Sequence, residues 1–221
     1  MYPAGNLFVP CAHGRLEANL KEPRGIASDT LRGAALVLHP HPLHGGTMHN
    51  KVVFRAARGI NDAQCVTLRI NFRGVGASTG THDNARGEQD DARAALDYLS
   101  EHYARLSLLL AGFSFGARVG LETGINDARV RFLIGIGTPV NMYDFSFLRQ
   151  CRKPVLFIHG SQDEFGDTEK LKTLAAQLPP EAEAQVKIIE GAGHFFENQL
   201  DEMTDAITEW TNRRLSINRD A

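Results

Sequence analysis

A serine with glycine two residues away on either side, Gly112-Phe113-Ser114-Phe115-Gly116, is the strongest chemical signal in this 221-residue chain. An apolar run at residues 106–111 precedes it, and a stretch rich in small residues, 115–125, follows. That context reads as a sharp strand-to-helix turn. Such a turn thrusts the Ser114 Oγ clear of the backbone and crowds the positions two before and two after, where only glycine fits. A serine hydroxyl becomes a nucleophile when a neighbouring base takes its proton and an acid orients that base.

Two histidines follow Ser114: His159 in Phe157-Ile158-His159-Gly160 and His194 in Gly191-Ala192-Gly193-His194-Phe195. The glycines around His194 let a loop project its ring, which makes it the expected base. His159, directly after an apolar run, reads as a hydrogen-bonded structural residue. Asp163 lies in the loop between them and is the expected acid, in the order serine, acid, histidine usual for such a turn. Glu164 and Asp144 are the alternatives.

An oxyanion formed by attack at a carbonyl needs preorganised donors. The backbone N–H of Phe115, just after the nucleophile, is one. The second is expected from Leu38-His39-Pro40-His41-Pro42-Leu43-His44-Gly45-Gly46-Thr47-Met48. Prolines have no N–H, which leaves His41 or Leu43. His39, His41, His44 and His49 are not read as a metal site: no Asp, Glu or Cys stands among them, and HExxH is absent. The glycines of Asn71-Phe72-Arg73-Gly74-Val75-Gly76-Ala77-Ser78-Thr79-Gly80 are spaced GxGxxxG rather than GxGxxG, so no dinucleotide site is expected there. They are read instead as letting that loop pack beside the nucleophile.

The elements that must position these residues are legible as periodicity. Residues 6–10 and 15–20 alternate around a Gly-terminated loop and read as a hairpin. Short apolar runs at 34–38, 65–71, 106–111, 130–135, 154–158 and 186–189 suit strands buried on both faces of a parallel sheet. Helix-like stretches lie between and after them at 50–60, 86–102, 115–125, 168–178 and 197–215. The expected fold is α/β: a mostly parallel twisted sheet, helices on both faces and an N-terminal antiparallel hairpin. Every candidate loop then follows the carboxyl end of a strand, and those ends share one edge.

Composition sets the outer bounds. Hydrophobic residues are 43% and charged residues 23%, which suits one folded domain over 1–221 with a frayed tail at 216–221. Lys plus Arg number 24 against 26 Asp plus Glu, so no basic patch invites nucleic acid or an anionic membrane. Cys11, Cys65 and Cys151 are odd in number and far apart, which fits a reducing compartment, and a cytoplasmic location is expected. Residues 1–6 do not read as a signal peptide, and no apolar stretch approaches membrane length. Nothing in the sequence sets an oligomeric state.

The chain resembles an α/β-hydrolase from about residue 6 to 215. The His39-Pro40-His41-Pro42…Gly45-Gly46, Asn71-Phe72-Arg73-Gly74-Val75-Gly76-Ala77-Ser78 and Gly112–Gly116 motifs together are similar to a family of small lid-less bacterial hydrolases related to the dienelactone-hydrolase group. The resemblance implies a Ser–Asp–His esterase-type enzyme without cofactor, with Ser114, Asp163 and His194 at the matching positions. Dienelactone hydrolases use cysteine where Ser114 stands, so their substrate is not carried over. About 15 residues between Gly137 and Pro154 leave no room for an inserted lid. Leu43, Met142 and Tyr143 are expected to wall an open, shallow pocket for a short-chain ester. A thioesterase or small-peptide hydrolase would use the same three residues; a non-catalytic relative would lack one.

Overall fold

In the structure, a computed structural model describing residues 5–217, eight strands form one sheet in the order β1-β2-β4-β3-β5-β6-β7-β8. The strands are β1 (Gly5–Cys11), β2 (Gly14–Lys21), β3 (Gly33–Leu38), β4 (Cys65–Ile70), β5 (Leu108–Phe113), β6 (Val130–Ile136), β7 (Val155–Gly160) and β8 (Gln185–Ile189). The hairpin is present: β1 and β2 pair antiparallel, and β2 pairs antiparallel with β4. From β4 to β8 every neighbouring pair is parallel.

Five helices flank the sheet: α1 (Lys51–Asp62), α2 (Arg86–His102), α3 (Phe115–Asn126), α4 (Thr168–Ala176) and α5 (Leu200–Ile217). Each face has its own core. Val52, Val53 and Ile60 of α1 join Met203, Ile207 and Trp210 of α5 on one face. Ala92, Leu96 and Leu99 of α2, Val119 and Leu121 of α3 and Leu171 of α4 cover the other. β3, β4, β5 and β7 are buried along their whole length; β3 and β5 accordingly carry only apolar residues, while β4 also buries Thr67 and Arg69. Burying one large aliphatic or aromatic side chain stabilises the fold by about 1.5–3 kcal/mol.

Helix starts follow their capping chemistry. Asn50 accepts from the Val52 amide at 2.9 Å, and Asp167 from the Lys170 amide at 2.8 Å. Glu88, fully buried, reaches back to the Ala85 amide at 2.8 Å.

Several boundaries differ from the sequence reading. β5 begins at Leu108 because Leu106 is taken into a turn by Tyr103, and its ladder with β6 continues through Gly112 and Phe113. The run at 186–189 is not buried on both faces: β8 is an edge strand with only β7 beside it, and alternate residues are exposed. α4 stops at Ala176, ahead of Pro179. α5 starts at Leu200 because Phe196 and Asn198 take left-handed φ values of 54° and 67°. It continues through Ser216 and Ile217, which the sequence reading assigned to a frayed tail; 218–221 lie outside the described residues.

Candidate active site

Between the end of β5 and the start of α3, Ser114 makes the turn alone, with φ 56° and ψ −119°. An L residue held there stores about 1–3 kcal/mol of strain. Its amide, donated to the Ile136 carbonyl at 2.9 Å, locks the turn to β6. A Cβ on Gly112 would collide with the Gly116 carbonyl. One on Gly116 would come within 2.6 Å of the Leu38 and His39 carbonyls. The paired glycines therefore let the helix start press against β5 and β3.

His194 hangs from the loop between β8 and α5. Its Nε2 lies 2.9 Å from Ser114 Oγ and its Nδ1 lies 2.8 Å from Asp163 Oδ2. An ionised carboxylate only accepts, so Nδ1 carries the proton and Nε2 offers its lone pair to the serine hydroxyl. Asp163 Oδ1 accepts from the Phe165 amide at 2.9 Å, and the carboxylate is fully buried. The His194 ring is held among Phe113, Phe165 and Phe195 at centroid distances of 4.9, 4.6 and 5.3 Å. Such a chain can pass a proton from Oγ to imidazole while the carboxylate fixes the tautomer. The alternative acids lie elsewhere: Asp144 caps the turn at Ser146 through bonds of 2.7 and 2.8 Å, and Glu164 is exposed.

His159, fully buried, donates Nε2–H to the Gly166 carbonyl at 2.7 Å and so closes the loop that carries Asp163. Its Nδ1 faces Asp163 Oδ2 from 3.8 Å.

The histidine-proline loop is tied by its own rings. His39 Nε2 accepts from the Phe72 amide at 3.0 Å, so its proton sits on Nδ1, which donates to the Pro40 carbonyl at 2.6 Å. Burial pushes the His39 pKa down to about 4, which keeps the ring neutral in this role. A trans peptide sends its N–H opposite its C=O, so fixing the Pro40 carbonyl also aims the His41 amide. The His41 carbonyl in turn accepts from the His44 and Gly46 amides at 3.1 and 3.0 Å. Of the two candidate donors, the Leu43 amide is engaged by His41 Nδ1 at 3.2 Å. The Phe115 amide opens α3, where helix N–H groups lack intrahelical partners.

Arg73 does not face Ser114. Its guanidinium grips Asp91 of α2 at 2.7 and 3.0 Å, and its amide donates to the same carboxylate at 2.8 Å. Asn71 accepts from the Met48 amide and donates to Glu17, both at 2.8 Å. The motif thus laces β2, α2 and the histidine-proline loop together.

Leu43 and Met142 are 69% and 56% exposed on loops at the same sheet edge, and the Tyr143 ring lies 6.3 Å from Phe115. His82, which no sequence pattern marks, packs its ring 5.0 Å from His41 and 5.7 Å from Phe115. His41 also stacks on His44 at 4.4 Å; burial and these neighbouring rings lower its pKa. Among the described residues no group of three or more His, Cys, Asp and Glu could hold a metal ion.

A family model described as "Alpha/beta hydrolase domain" matches residues 34–213, most of the chain. The chain belongs to the α/β-hydrolase family. A Rickettsia prowazekii protein is 41% identical to this α/β-hydrolase over 183 residues, 80% of this chain and 77% of that one. An alpha-beta serine hydrolase homologue from Coxiella burnetii is 34% identical with a TM-score of 0.87, over 95% of this chain and 98% of that one. A serine hydrolase without lid from Xanthomonas campestris is 32% identical with a TM-score of 0.86, over 97% and 96%. In the α/β-hydrolase described here, the segment from β6 to β7 holds only a 3-10 turn, Ser146–Gln150.

Proposed function

We propose that this α/β-hydrolase cleaves short-chain carboxylic esters through an acyl-enzyme intermediate, with no cofactor. The observation that carries the reading is the unbroken chain Ser114 Oγ, His194 Nε2, His194 Nδ1 and Asp163 Oδ2, with links of 2.9 and 2.8 Å. Ser114 attacks the ester carbonyl while His194 takes its proton. Asp163 holds the tautomer and stabilises the imidazolium. The amides of Phe115 and His41 receive the oxyanion. His194 then protonates the departing alcohol, and a water activated by the same ring releases the acid.

A substrate bound at this edge meets Leu43, Met142 and Tyr143 on open loops, which favours a small acyl group. The free thiols of Cys11, Cys65 and Cys151 support a reducing compartment and hence the cytoplasm. The test is a panel of p-nitrophenyl acetate, butyrate and hexanoate beside matching thioesters and anilides. The reading requires turnover of the oxygen esters that vanishes in Ser114→Ala.

A further inference from the structure

Acylation has a direction, and it assigns a second feature of the surface. The bond from Ser114 Oγ to the acyl carbon forms as the acyl carbon's bond to the alcohol oxygen breaks. The serine proton passes to His194 Nε2 and on to that oxygen. The leaving oxygen must therefore depart within hydrogen-bond reach of His194. Beside that imidazole stands Phe195, whose ring is edge-on to His194 at 5.3 Å and 45% exposed.

Phe195 forms part of the wall of a cleft of about 590 Å³, between the residues leading into α1 and those leading into α5. Thr47, His49 and Lys51 line one side, and Glu197 and Asn198 join Phe195 on the other. An ethyl group would leave most of this volume to water, whereas clefts of about 300–1,000 Å³ hold ligands many atoms larger. The lining also discriminates by chemistry. With one ammonium and one carboxylate among its residues, the cleft does not favour a guest of either charge. Ammonium, carboxylate, amide and hydroxyl groups all hydrogen-bond to hydroxyls. The Phe195 ring supplies an apolar surface for the C–H faces of such a guest.

We infer that this cleft is the leaving-group subsite and that it takes a neutral polyhydroxylated alcohol, of the glycerol or sugar class. The inference rests on the ester-hydrolase reading above and adds the identity of the alcohol to it.

The test compares three acetates that share one acyl group: ethyl acetate, octyl acetate and glycerol monoacetate. The intact enzyme should show kcat/KM for glycerol monoacetate roughly ten-fold above the other two, as one or two added hydrogen bonds would give. In Lys51→Met/Glu197→Gln and in Phe195→Ala, the glycerol-to-ethyl ratio should fall toward one. A ratio at or below one in the unaltered enzyme, or one that neither variant moves, overturns the inference. Hydrolysis of all three acetates by Ser114→Ala would overturn the ester-hydrolase reading beneath it.

Discussion

The Phe72 amide donates to Nε2 of His39 across 3.0 Å, and this bond forces the His39 proton onto Nδ1 and into the Pro40 carbonyl. Two loops from adjacent strands, β3 and β4, are pinned through one neutral imidazole. The peptide so fixed is the one whose N–H belongs to His41, the proposed oxyanion donor.

His39→Leu should therefore lower kcat by about ten-fold or more while KM holds, since an amide aimed at the oxyanion matters only in the transition state. Each backbone group left unpaired costs about 1–3 kcal/mol of stability, read by urea denaturation. The pH dependence has a definite sign. The folded-state pKa is depressed from 6.5 to about 4, so the unfolded chain binds the extra proton first. The contribution is full above about pH 6.5 and drains away as pH falls to 4, in all about 3 kcal/mol. His39→Leu should flatten that part of the stability curve. An unchanged slope would contradict this account of the ring.

Asp163→Asn should reduce kcat by about 10⁴, because the amide can stabilise neither the required tautomer nor the imidazolium. Circular-dichroism melts should stay close to those of the parent, since the Phe165 amide keeps an acceptor at that position. Near-normal turnover in Asp163→Asn, with Asp144→Asn or Glu164→Gln inactive, would place the acid elsewhere.

Acyl length is the third expectation. Each buried methylene contributes about 0.8 kcal/mol, but only where apolar surface receives it. With Leu43 and Met142 largely exposed and only a short 3-10 turn between β6 and β7, gains should end at roughly six acyl carbons. A p-nitrophenyl series from acetyl to dodecanoyl checks this. Rates that climb through dodecanoyl, or a jump on emulsified triglyceride, would contradict an open, shallow acyl site.

The frame of this molecule is legible in its sequence for a physical reason. Strands buried on both faces have little use for polar alternation, so β3 and β5 show as bare apolar runs, whereas β4 carries Thr67 and Arg69 although it is buried throughout. β8 misleads because Val186, Ile188 and Ile189 read as an apolar run, while Gln185 and Lys187, both exposed, mark it as an edge strand. The proximity of Ser114, Asp163 and His194 is legible because glycine-flanked loops after parallel strands must share one edge. The bond between His39 and Phe72 is not, since it depends on which two loops become neighbours and on a tautomer. Arg73 is another such case: its glycine-rich surroundings draw the eye to the site, yet its guanidinium turns to Asp91 in α2. His82 and buried Glu88 lie 2.8 Å apart behind the His41 ring without any spacing that announces them.

Covalent labelling with a fluorophosphonate, read by intact mass and peptide mapping, tests the central claim most directly. One phosphonyl group per chain should form on Ser114, with ester hydrolysis falling in proportion to labelling. Ser114→Ala should take up none. Stoichiometric labelling of the alanine variant, or full hydrolysis by a chain already labelled at Ser114, would contradict the assignment of this serine as the nucleophile.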